Sequence, residues 1–216
     1  MSRRFDDSQA GATMDVASLR EAELRAGRQF IADQFTTMSS RHDPEDIITL
    51  QVLLDYGQEA AQHAKGGDLV DARRLLAAVD AIELPDDREL SAARELSTLP
   101  VHALVHWKEG DSEVAIADLT RALDAGRMLA EEFDHGYLTV KLIHLASNVA
   151  RVDLSRGRSR EALEQVSDLR AVIDGDAAKW RYGAAGMLRV PLEGVERSII
   201  DIQLERTTAL ATQTQA

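Results

Sequence analysis

Three copies of one short pattern constrain this chain more than any other feature. Gly67-Asp68-x-x-x-Ala72, Gly110-Asp111-x-x-x-Ala115 and Gly157-Arg158-x-x-x-Ala162 each place an alanine five residues after a glycine. Each glycine also has an alanine seven residues before it, at Ala60, Ala103 and Ala150. A glycine in a tight turn, with one small residue on the helix before it and one on the helix after, lets two antiparallel helices pack closely. Repetition of that unit predicts a stack of helical hairpins.

Composition agrees with helices and narrows the function classes. Aromatic residues make up 4% of the chain and alanine and leucine dominate, which favours helices packed through small and aliphatic side chains. The 216 residues suit one domain with a sizeable core or one short solenoid. A net charge of −12 argues against a nucleic-acid footprint, which needs a basic face. With no cysteine there is no disulfide, thiolate metal site or cysteine nucleophile, and a cytoplasmic protein is expected. The first residues, MSRRFDDSQAGATMD, have no apolar core and do not read as a secretory signal. No apolar run is long enough to cross a membrane.

Hydrophobic spacing predicts about eight helices and no strand. Residues 1–13 read as a disordered tail, residues 14–211 as a single helical-repeat domain and residues 212–216 as a frayed end. Within the domain, about three hairpins fill 44–174, with capping helices over 14–38 and 191–211. Asp43-Pro44 supplies an N-cap and a first helical residue for a helix reaching Lys65. Pro100 predicts a kink or break in the helix from Arg88 to Lys108.

The segments Lys108 to Leu123 and Ser155 to Val166 resemble the turn and second helix of a tetratricopeptide repeat. Anchoring the second-helix alanine on Ala72, Ala115 and Ala162 places the small first-helix residue on Ala60, Ala103 and Ala150. The large second-helix residue then falls on Leu76, Leu119 and Val166. The later alanine matches only at Ala122, and the terminal proline is missing. The glycines are 43 and 47 residues apart, against a family period of about 34. The resemblance implies an all-α fold of antiparallel hairpins stacked as a right-handed tetratricopeptide-like solenoid, with capping helices. It also implies a non-catalytic adaptor, chaperone or regulator holding a protein or peptide in a concave groove.

Carried over residue by residue, the resemblance puts Lys65, Leu104, Lys108, His144, Asn148 and Arg151 on that groove, with Trp107 beside them. The lysines, Arg151 and Asn148 would form a partial clamp for carboxylates, since ammonium and guanidinium groups give charge-assisted hydrogen bonds. No cofactor and no metal are expected on this reading. The alternative is a helical metal-binding protein or enzyme built on His102, His106, Glu132 and His135. His102 and His106 lie one helical turn apart, and Glu132-x-x-His135 matches a di-iron spacing. A small-molecule sensor is a third reading. Trp180 and Tyr182 either anchor a partner or cover the end of the stack. The apolar stripe of the last helix must also be buried. Its cover is either the third hairpin or the same helix of a second chain, giving a homodimer.

Overall fold

The computed structural model describes residues 32, 33 and 35–215, with side chains to residue 212. The expected tail over 1–13 and most of the leading cap over 14–38 lie outside the described residues. Among the described residues there is helix and no strand. Helical residues 35–38 lead into α1 (Pro44–Gly66), α2 (Leu69–Asp80), α3 (Arg88–Glu109), α4 (Ser112–Glu132), α5 (Thr139–Ser155), α6 (Ser159–Ile173) and α7 (Gly194–Gln215). Three short 3-10 turns, Gly136–Leu138, Ala177–Lys179 and Ala185–Met187, fill the longer connections. No helix is long and apolar enough to cross a membrane, among the described residues.

The glycine turns close identically. Gly67, Gly110 and Gly157 sit at φ 90°, 90° and 76°, a backbone that other residues rarely adopt. In each, the N–H of the residue after the glycine reaches back to a last-turn carbonyl: Asp68 to His63 at 3.0 Å, Asp111 to His106 at 2.9 Å and Arg158 to Asp153 at 3.0 Å. Asp68 and Asp111 then cap the next helix through Asp71 N and Val114 N. Arg158 has no side-chain acceptor and makes no such cap. A wider turn at Asp134, whose following N–H reaches back six residues where the others reach five, carries no glycine. Asp134 takes φ 57° and His135 N bonds to Leu129 O at 3.1 Å.

The six alanines flanking the glycines are all buried. Each hairpin therefore packs tightly: α1 on α2, α3 on α4, α5 on α6. Successive hairpins also touch, through α1 and α3, α4 and α5, and α5 and α6 against α7. The first helices run in one direction. Leu50 of α1 shares a cluster with Leu90 of α3, while Ala60 and Ala64 meet Val101 and Val105 further along. Likewise His144 of α5 meets Gln203 of α7, and Leu154 meets Ala211.

Pro100 does not break α3, which continues from Arg88 to Glu109. Leu96, Leu99, Val101 and Ala103 are buried on both sides of it, so tertiary packing carries the helix past the missing N–H. The last helix begins at Gly194 and continues to Gln215, beyond the expected end near Ala211. Its Ile200 and Leu204 enter the main core and Ala211 meets Leu154 and Ala162. Part of the apolar stripe is thus covered within the chain.

Candidate functional site

The described cations of this acidic chain differ in how they are paired. One set is neutralised in place. Arg74 pairs with Asp71 at 3.1 Å, Arg121 with Glu95 at 2.6 Å, Arg127 with Glu131 at 3.2 Å and Arg197 with Asp174 at 2.6 Å. Arg73 with Glu109 and Arg156 with Glu113 are closer still. Among the described residues, the cations with no carboxylate partner include Arg170, Arg189 and a set on the first helices. Among the described residues, Lys65 of α1, Lys108 of α3, Arg151 of α5 and Arg206 of α7 are exposed, with no carboxylate partner.

These charges act on one another. Burial, then Lys65, lowers the Lys141 ammonium to about 8. Desolvation, then Arg206, lowers Arg151. Burial pushes His144 down to about 4, and Lys141, Arg151 and Lys65 add to that, against a pull upward from Gln203. His144 is therefore neutral at pH 7. Its Nδ1–H donates to Gln203 Oε1 at 2.8 Å and its Nε2 accepts from Asn148 Nδ2 at 3.2 Å. The imidazole and amide expected as groove residues thus tie α5 to α7. Lys65, Lys141, Arg151 and Arg206 make one positive region around neutral His144, across three first helices of an acidic body.

The other expected groove residues differ in access. Lys108 is exposed at the end of α3. Leu104 is partly buried against Ala60, Ala64, Ala72, Val101 and Val105, so most of its surface serves the core. Trp107 is also partly buried on the main core and donates Nε1–H to Ser155 Oγ at 2.9 Å, fastening α3 to α5. Trp180 is buried and meets Tyr182 edge-on at 5.2 Å, which makes the pair a cover for α6.

The four residues of the metal alternative are not brought together. Glu132 is exposed and pairs with Arg88 at 2.9 Å. His135 is fully buried, with Nε2 donating to Glu89 Oε1 at 2.6 Å and Nδ1 accepting from Tyr137 Oη at 2.6 Å. His102 and His106 lie elsewhere on α3, against Asp80 and Asp118.

That buried histidine belongs to a network absent from the expectations. Glu89, at the start of α3, is 2% exposed. Its carboxylate accepts from Arg41 at 2.5 Å, His42 at 2.9 Å and His135. Arg41 also donates to Phe133 O at 3.2 Å. Burial lowers the His135 imidazole, opposed by Glu89. The group fastens the loop before α1, the start of α3 and the α4–α5 turn.

No family model, characterised protein or solved structure matches this chain significantly.

Proposed function

We propose that this chain is a tetratricopeptide-like protein-interaction module whose first helices bind an acidic segment of a protein partner. Paired antiparallel helices, short glycine turns and first helices running in one direction support the stacked reading. The observation that carries the functional reading is the set of unpaired cations on those helices. A protein of net charge −12 neutralises most arginines elsewhere, yet leaves Lys65, Lys108, Arg151 and Arg206 without carboxylates. Charge-assisted donors arranged along a face recognise carboxylates, and each partner carboxylate relieves repulsion already present in the free protein. On this reading the chain is an adaptor, chaperone or regulator, with no catalytic role.

The test is titration of the protein with a fluorescent oligoglutamate peptide at about 50 mM and about 200 mM salt. Saturable 1:1 binding that weakens with salt and falls at least ~30-fold in Lys65→Glu/Arg151→Glu is expected. Equal binding by the double variant, or equal binding of an oligolysine peptide, would remove the assignment.

A further inference from the structure

The cluster around Glu89 is balanced only while its deepest imidazole is neutral. Glu89 brings one negative charge and Arg41 one positive. His135 stands between them with no surface exposed. Its Nε2–H donates to Glu89 Oε1 at 2.6 Å, and the same nitrogen lies 3.2 Å from Arg41 Nη2. Its Nδ1 accepts from Tyr137 Oη at 2.6 Å. Nδ1 is therefore the ring position left to take a proton.

We infer that this cluster is an acid-operated clasp: a proton taken up at His135 Nδ1 expels Arg41 and loosens the loop of residues 39–43 before α1. The contact between the two cations carries the inference. Protonation sets an imidazolium 3.2 Å from a guanidinium, and the one buried carboxylate between them is already shared with His42. One of the two cations must leave. The side chains of His135 and Glu89 are 0% and 3% exposed, whereas that of Arg41 is 38% exposed. Arg41 can swing into water without moving a helix, and His135 cannot. Its departure also strips Phe133 O of the donor that holds the loop to the α4–α5 turn.

The remaining groups around the imidazole do not cancel this effect. Burial, the largest influence, and Arg41 oppose the charged ring, while Glu89 and Asp134 favour it. The balance lowers His135 below the ordinary 6.5. His42 faces Glu89 from the loop, and Asp33 and Thr37 of the leading helical residues face Tyr137. Glu132 of α4 is turned to Arg88. Once the clasp opens, His135 regains an ordinary proton affinity. The open form then holds the proton more tightly than the closed one, so the clasp stays shut above pH 6.5 and opens more readily as pH falls below it.

The experiment is amide hydrogen exchange of the full chain, read by NMR at about pH 7.5 and about pH 5 and corrected for intrinsic exchange rates. Protection at the Arg41, His42 and His135 amides should fall at least ~5-fold in acid, while Leu119 and Leu123 in the middle of α4 stay within ~2-fold. Repeating both measurements in His144→Gln removes the other acid-sensitive imidazole, and the local loss should persist there. His135→Gln can still donate to Glu89 and accept from Tyr137 but takes no proton, so it should hold its protection in acid. His42→Gln should keep the response. Because His135→Gln could weaken the fold, the ring nitrogens of His135 are titrated in the unmodified chain, where protonation should coincide with the loss of protection. No local loss in acid, an equal loss at Leu119 and Leu123, a loss that survives in a folded His135→Gln, or a His135 ring still neutral where protection is lost would each overturn the proposal.

Discussion

The network around Glu89 and the basic face around Arg151 handle charge in opposite ways. Around Glu89 a carboxylate is withdrawn from water and matched by Arg41, His42 and His135 at hydrogen-bond distance. Across Lys65, Arg151 and Arg206 like charges face one another with no matching carboxylate among the described residues. Desolvating a charge is tolerable only with close partners, so the first region is structural glue. Gathering unmatched charge raises the free energy of the folded chain, and on the proposed reading an acidic partner offsets that cost. The paired charges hold the fold, and the unpaired ones are what the proposed function rests on.

The sharpest way to break this contrast is at Glu89. Glu89→Ala leaves the buried His135, the half-buried His42 and Arg41 without their acceptor and should cost about 3–5 kcal/mol, read as a lower urea midpoint. A loss under about 1 kcal/mol would place the network among ordinary surface pairs.

The next effect is acid sensitivity. His144 has a folded value of about 4, below the ordinary 6.5. The neutral form is favoured in the fold, so its stability contribution is complete above pH 6.5 and is lost as pH falls through 4. The amount is up to about 3 kcal/mol. His144→Gln should flatten the stability–pH curve between those values, leaving the smaller slope from His135, which is depressed in the same direction. An unchanged slope would mean that His144 is already protonated in the folded protein.

A third change tests the scaffold under both regions. Gly110→Ala forces a side chain into a left-handed backbone and should cost about 1–2 kcal/mol. Gly66→Ala, inside α1 with open space around it, should be neutral or stabilising. Thermal melts of the two separate turn strain from general helix propensity.

The smallest effect completes the comparison. Arg206→Gln removes an unpaired charge and should leave stability within about 0.5 kcal/mol, or raise it slightly. A clear loss of melting temperature would show that Arg206 has a structural partner.

Much of the scaffold was legible because its signals are local. Asp43-Pro44, Asp68 and Asp111 cap the helices that spacing marks, and the flanking alanines are buried. The site was less legible. Register against a repeat pattern assigned Lys65, Lys108 and Arg151 to a groove, and the structure leaves all three exposed with no carboxylate partner among the described residues. That Lys141 and Arg206 stand near Arg151 and Lys65 was not legible, since nothing local says that α7 lies beside α5 and in the same direction. The Glu89 network was missed for a similar reason. Its bonds to Glu89 span 46 to 48 residues, and Glu89 looks like any acidic residue in a first helical turn. Asp134 closes a helix as glycine does, yet carries no glycine to announce it.

By itself, then, the sequence determined an all-helical chain, its turns and the small residues at each hairpin contact. These follow from interactions between residues a few positions apart. Only the tertiary structure decided that α3 passes unbroken through Pro100, that Glu132 and His135 part company, and that α7 brings Gln203 and Arg206 to α5. Those outcomes depend on how whole helices lean on one another. That is settled by the summed burial of many side chains, which no short window of residues contains.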